Sequence, residues 1–200
     1  MAAIGRWLGT TWSPSQLAGF ARYADWLITE GVAIGGIGPA EADRIWDRHI
    51  ADSLAFGYDL ASGTRVLDVG SGVGLPGIPL AIGFPESSVT LLERSLRRVD
   101  ALRRVLRMLA VPAEVVATDF RHHHDRYDRL VMRAVLSPDR IAELRHLVTP
   151  GGEIIVALGR SPEHPNPPMP GSGSVVRVDD GVLDGGAWLL RMSVECSPPP

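Results

Sequence analysis

The sequence predicts an α/β fold: a mostly parallel sheet flanked by helices, with an N-terminal helical cap over 1–60 and a sheet domain over 61–200 that ends in a hairpin. Three observations predict it. Short apolar runs alternate with helix-like runs between 65 and 158, the pattern of a parallel sheet covered on both faces. A glycine-rich stretch follows the first of these runs directly and precedes a helical one. The chain also has the size and make-up of one sizeable core, with 200 residues, 45% hydrophobic and 22% charged.

Each element has a local reason. Ser13-Pro14 reads as a helix cap followed by proline in the first turn. Leu17, Phe20, Ala21, Ala24, Leu27 and Ile28 then recur at helical spacing, and Gly31 is a stop. A second helix starts at Pro39 with Ala42, Ile45, Trp46, Ile50 and Leu54 as its apolar face. Strands are expected at Arg65–Val69, Ser88–Leu92, Ala113–Ala117, Arg129–Met132 and Glu153–Leu158. Helices are expected at Pro76–Ile82, Ser95–Leu109 and Pro138–Val148, the middle one with Leu96, Val99, Leu102, Val105, Leu106 and Leu109 inward. Residues 159–174 are rich in Pro, Gly and Ser and read as a linker. Val175–Val178 and Trp188–Val194, with turn residues over Gly181–Gly186, form the expected hairpin.

Composition narrows the function. The net charge of −3 argues mildly against a broad nucleic-acid footprint, while leaving local basic patches open. Cys196 is the single cysteine, so no internal disulfide is expected. No run of about 18 apolar residues suggests a membrane span. The first residues lack a signal-peptide pattern, so the expected location is cytoplasmic.

The stretch Val66-Leu67-Asp68-Val69-Gly70-Ser71-Gly72-Val73-Gly74-Leu75-Pro76-Gly77 carries the strongest chemical signal. Glycines after a strand let the backbone turn tightly and approach a ligand. Asp68 is suited to organise the loop and face a ligand amino group. Glu93 closes the next strand, where a carboxylate can hold both hydroxyls of a ribose. Dinucleotide enzymes share that acid but use exposed loop amides for a pyrophosphate. An acid directly before the loop suits S-adenosylmethionine, which has no phosphate. Asp119, after the third strand, is a candidate acceptor for the adenine amino group, or a solvated loop acid.

Two motifs carry a resemblance. Arg48-His49-Ile50-Ala51-Asp52-Ser53-Leu54 is similar to the "RHI-x-DSL" helix of the bacterial ribosomal small-subunit methyltransferase G (GidB) family, and Leu75-Pro76-Gly77-Ile78-Pro79-Leu80-Ala81 resembles its "G-x-PG-x-PLA" loop. Leu91–Val105, Arg133-Ala134-Val135 and Pro150-Gly151-Gly152 match in type and order, so the resemblance covers about 15–158. It implies a Rossmann-like class I methyltransferase that methylates N7 of a guanine in 16S ribosomal RNA using S-adenosylmethionine. The cofactor residues it implies, together with those read from the loop, are Asp68, Gly70, Ser71, Gly72, Gly74, Leu75, Glu93, Arg94, Asp119, Phe120 and Arg133. Arg48, His49 and Arg133 are the candidate substrate contacts. No catalytic acid or base and no metal ligand is expected. The implied partner is 16S rRNA or the small ribosomal subunit.

Departures from the family pattern keep other readings open. Gly35-Gly36-Ile37-Gly38 stands where the family carries Asn-Leu-Thr, Asp119-Phe120-Arg121 replaces an acidic pair, and Ala157-Leu158-Gly159-Arg160 lacks the usual lysine. The alternatives are a methyltransferase of the same lineage acting on a small molecule, and a non-catalytic cofactor-binding protein. His122-His123-His124-Asp125 invites a metal reading, but adjacent residues rarely aim three imidazoles at one ion, so an exposed loop is expected. Arg94, Arg97, Arg98, Arg103, Arg104 and Arg107 crowd one helix, as a solvated face or an RNA-backbone surface. Asp47, Arg48, His49 and Asp52 read as a polar network between cap and domain, or as substrate contacts; Trp7, Trp12, Trp26, Trp46 and Trp188 read as packing residues.

Overall fold

The structure is a computed structural model and describes residues 1–133, 138–158 and 173–194. The expectations for Ala134-Val135, for most of the 159–174 linker and for Cys196 lie outside the described residues. Seven strands form one sheet in the order β3-β2-β1-β4-β5-β7-β6. They are β1 (Arg65–Val69), β2 (Ser88–Leu92), β3 (Ala113–Val116), β4 (Tyr127–Met132), β5 (Val148–Ala157), β6 (Gly173–Val178) and β7 (Ala187–Ser193). The first five pair in parallel, whereas β7 runs antiparallel to both β5 and β6. The expected C-terminal hairpin is therefore present, and its second strand docks on the parallel sheet.

Alternate side chains on each strand feed opposite faces, as the pleat requires. Val66, Val89, Leu91, Val131 and Ile155 face one apolar cluster, which also contains the cap and the helices α4 (Gly77–Gly83) and α5 (Leu96–Leu109). Leu67, Val69, Leu92, Leu130 and Met132 face the other, with Ile141, Leu144 and Leu147 from a 3-10 helix over Pro138–Leu147. The helix expected over Pro138–Val148 is thus of the 3-10 type, and Val148 opens β5.

The cap begins with α1 (Ala2–Trp7), which the sequence reading did not anticipate. Next comes α2 (Pro14–Trp26), with Ser13 Oγ accepting from the Gln16 amide and the Gln16 side chain accepting from the Ser13 amide. Gln16 also donates to the carbonyls of Ile82 and Gly83, tying the start of α2 to the end of α4. A π-helical turn, Leu27–Gly31, extends α2. The face of α2 differs from the expected one: Tyr23 and Trp26 are buried with Phe20, Ala24 and Leu27, whereas Leu17 and Ile28 are exposed. The second cap segment is not one α-helix. It runs as a 3-10 helix (Pro39–Arg44), a π-helix (Ile45–Ala51), a short α3 (Asp52–Leu54) and a 3-10 turn (Ala55–Gly57). This changing pitch turns Trp46 to solvent, against the expected packing role. Leu96, placed inward by periodicity, is exposed as the first residue of α5. Among the described residues, no helix is long and apolar enough to cross a membrane.

Candidate cofactor and acceptor cleft

The chain order β1-β2-β3 grows the sheet in one direction from β1, and β4 lies on the other side. A crevice therefore opens at the carboxyl ends of β1 and β4, the usual ligand position in such sheets. The structure has a cleft of about 550 Å³ there. Its walls include the loop residues Gly70, Ser71, Gly72, Val73 and Leu75, then Glu93 and Arg94 after β2, Thr118, Asp119, Phe120 and Arg121 after β3, and Arg133 after β4.

The loop is braced from behind. Asp68 is fully buried, and its Oδ2 accepts from Ser71 Oγ at 2.5 Å and from the Gly77 amide at 3.0 Å. It organises the loop as expected, but it stands beneath the loop and outside the cleft wall. Burial pushes its carboxyl up to about 6, partly offset by those two hydrogen bonds. The cap braces the same loop from above: Tyr23 Oη donates to Val73 O at 2.8 Å, and Gly36 lies so close that a Cβ there would stand 1.8 Å from Val73 Cγ1. Burial, and then the neighbouring Asp68, keep the Tyr23 hydroxyl protonated by raising its pKa well above the ordinary value.

Glu93 links loop and strand. Its Oε2 accepts from the Gly72 amide at 2.9 Å and its Oε1 from the Ser95 amide at 2.8 Å. Each carboxylate oxygen keeps a second acceptor site, so a diol can still be bound. Gly72 has φ +64, and a Cβ there would meet nothing closer than Gly70 O at 3.8 Å, so the cleft is open above it. Asp119 is more committed than the sequence implies. It caps the 3-10 turn Phe120–His122 by accepting from the Arg121 amide, and it lies 3.7 Å from Arg94 and 3.6 Å from Arg121. Phe120 is buried, with the Arg121 guanidinium over its ring.

Several predicted residues stand off the wall. Gly74 faces inward, where a Cβ would collide with Ile78 and crowd Tyr23 Oη. Arg48 and His49 do not line the cleft, yet both hold Arg133: its NH1 donates to Arg48 O at 3.2 Å, and its NH2 lies 2.9 Å from His49 Nδ1. Asp47 accepts from the Asp184 amide in the hairpin loop, which ties the cap to the hairpin as well. In the histidine run, His123 is buried against Tyr127 Oη at 3.0 Å while His122 and His124 are exposed. Among the described residues no group of His, Cys, Asp or Glu is arranged to hold a metal.

Sequence reasoning missed Gly36, Arg98, Arg121 and Arg140 as cleft residues. A signal existed for Arg98, which lies in the first turn of α5, a helix that starts at the cleft. With Arg94 and Arg133, five arginines line the cleft against the carboxylates of Glu93 and Asp119. The rest of the run on α5 divides: Arg97 donates to Ala33 O, Arg103 to Val115 O, and Arg104 pairs with Glu30.

The strand order, the reversed β7 and the carboxylate at the tip of β2 place the chain, by fold, in the class of Rossmann-like methyltransferases. An SAM-dependent O-methyltransferase from Thermotoga maritima superposes with a TM-score of 0.56 at 16% identity, over 80% of this chain and 72% of that one. Within that class, the chain belongs to the rRNA small subunit methyltransferase G family (GidB), whose model matches residues 16–165. A ribosomal RNA small subunit methyltransferase G of Mycobacterium marinum is 46% identical over 127 residues, 61% of this chain and 56% of the relative. One from a Mycobacterium strain is 43% identical over 148 residues, 71% of this chain and 66% of the relative. The chain thus spans 56% to 66% of the length of these two curated relatives.

Proposed function

We propose that the chain binds S-adenosylmethionine in this cleft and methylates N7 of a guanine in 16S ribosomal RNA. The carrying observation is the union of loop and acid: Gly72 donates to Glu93, so the glycine turn and the candidate ribose carboxylate form one preset unit. Membership of a family described as rRNA small subunit methyltransferase G supports methyl transfer and an RNA acceptor. The residues present suit the cofactor: a carboxylate with spare acceptor sites for a diol, a loop open above Gly72, and Asp119 beside the Phe120 ring for an adenine.

In this reading Glu93 holds the ribose hydroxyls, Asp119 accepts from the adenine amino group, and Gly70, Ser71, Gly72 and Leu75 shape the floor. Bound there, the cofactor supplies an electrophilic methyl group. Guanine N7 already offers a lone pair in the plane of its ring, so no residue has to remove a proton first. The protein's task is alignment of acceptor and methyl group, which supplies a large part of the acceleration in such reactions. Asp68 keeps the loop rigid from below, and the cap closes it from above through Tyr23 and Gly36. Arg94, Arg98, Arg121 and Arg140 suit a phosphate-bearing acceptor and favour RNA over an uncharged small molecule.

The test is methyl transfer from tritiated S-adenosylmethionine to small ribosomal subunits lacking this modification. Label is expected in 16S RNA, at a guanine that becomes cleavable by borohydride and aniline. Binding of the cofactor without label in RNA would reject the acceptor. Absence of binding in calorimetry would reject the cleft assignment.

A further inference from the structure

Arg133 leaves the carboxyl end of β4 where β1 and β4 part, and the cap grips its guanidinium on three sides. NH1 donates to Arg48 O at 3.2 Å and lies 3.6 Å from Asp52 Oδ2, and NH2 lies 2.9 Å from His49 Nδ1. A guanidinium only donates, so Nδ1 must be the acceptor and the neutral ring carries its proton on Nε2. That nitrogen is buried and sits 3.3 Å from Glu41 Oε2, out of line for a full hydrogen bond. Burial, and then the facing charge of Arg133, hold His49 unprotonated, while Glu41 pulls the other way and Arg48 adds to the lowering. A charged ring would turn an N–H on the guanidinium and release it. An arginine has five N–H groups, and these contacts leave donors for the cleft that Arg133 lines.

We infer that His49, oriented by Glu41, positions Arg133 against the cofactor, so that a carboxylate–imidazole–guanidinium relay runs from the cap into the cleft wall. His49 and Glu41 are positioning residues here and touch no ligand. The inference rests on the proposed reading of the cleft as an S-adenosylmethionine site. The π-helix Ile45–Ala51 fits this arrangement: its wide turn presents both the Arg48 carbonyl and the His49 ring to one guanidinium.

The experiment titrates S-adenosylhomocysteine into the full chain by calorimetry at pH 7.5. His49→Leu removes the acceptor and keeps apolar bulk, and Kd should rise about tenfold or more. His49→Asn returns an acceptor oxygen near the Nδ1 position and should recover most of the affinity. In an Arg133→Gln background the His49→Leu loss should shrink to within about twofold, because the group being positioned is gone. Equal losses in both backgrounds, or an unchanged Kd for His49→Leu alone, overturn the relay. If His49→Leu shows no cooperative thermal transition, Glu41→Gln serves in the same two backgrounds: a loss of about threefold that disappears without Arg133 supports the relay, and no loss overturns it. No binding by the unaltered protein rejects the cofactor reading, and the relay falls with it.

Discussion

Two glycines five residues apart, Gly72 in the loop and Gly77 at the start of α4, separate binding from folding. Gly72 opens onto the cleft, with nothing nearer to a built Cβ than 3.8 Å. Aspartate tolerates its left-handed backbone better than most residues, so Gly72→Asp should cost about 1 kcal/mol or less of stability. Its carboxylate would nonetheless fill the floor beside Glu93, and S-adenosylmethionine binding by calorimetry should be lost. Gly77 is the opposite case: its Cβ would stand 2.3 Å from Leu91 Cδ2, 2.7 Å from Asp68 Oδ2 and 3.0 Å from Asp68 Cβ. Gly77→Ala should cost about 2–3 kcal/mol through overpacking and lower the Tm by roughly 5–10 °C. A stable Gly77→Ala protein would mean that the Asp68 brace is looser than its hydrogen bonds imply. Glu93 was legible in the sequence because the strand-to-acid distance is local. The partnership of His49 with Arg133 was not, since 84 residues separate the two and neither has a pattern that names the other.

At the scale of elements, periodicity located the buried faces best where the pitch is uniform. Val99, Leu102, Val105, Leu106 and Leu109 on α5 are buried as expected. It failed where the pitch changes, between Pro39 and Gly57, because the rotation per residue differs among 3-10, α and π turns. Arg129 shows what holds the far end of that segment. Its guanidinium donates to the carbonyls of Phe56, Tyr58 and Asp59 and pairs with Glu153, so the cap's last turn is fastened to β4 by one buried side chain. The end of α5 is less well made. Ala110 terminates it at φ +55, a left-handed position where glycine is the usual residue, and it is exposed. Ala110→Gly should therefore stabilise the protein by about 0.5–1 kcal/mol and raise the Tm by roughly 1–4 °C. A fall in Tm would show that the backbone strain is relieved elsewhere in solution.

At the scale of the molecule, alternation of strands and helices made the parallel core legible, because each unit announces itself locally. The place of β7 between β5 and β6 was not legible, since nothing local in a hairpin says which strand docks. Nor does a net charge of −3 reveal that arginines gather at one cleft; charge is additive along a chain but not over a surface. The same separation of total from local governs how stability responds to pH. Burial lifts Asp68 from an ordinary 3.8 to about 6, so between those values the folded state binds more protons than the unfolded one. Stability from this group therefore falls as pH rises through that window. Burial and Arg133 lower His49 from 6.5 to about 4, so there the folded state binds fewer protons and stability rises with pH. Between about pH 4 and 6 the two slopes oppose each other, each worth up to about 1.4 kcal/mol per pH unit. Removing one group should expose the other. Relative to the unaltered protein, His49→Asn should lose stability, and Asp68→Asn gain it, by roughly 1 kcal/mol for each unit of rising pH in that range. Urea unfolding at pH 4.5 and 5.5 measures both differences, and taking each variant against the parent cancels all other titrations. Parallel curves for parent and both variants would mean that neither group is buried in solution as it is here.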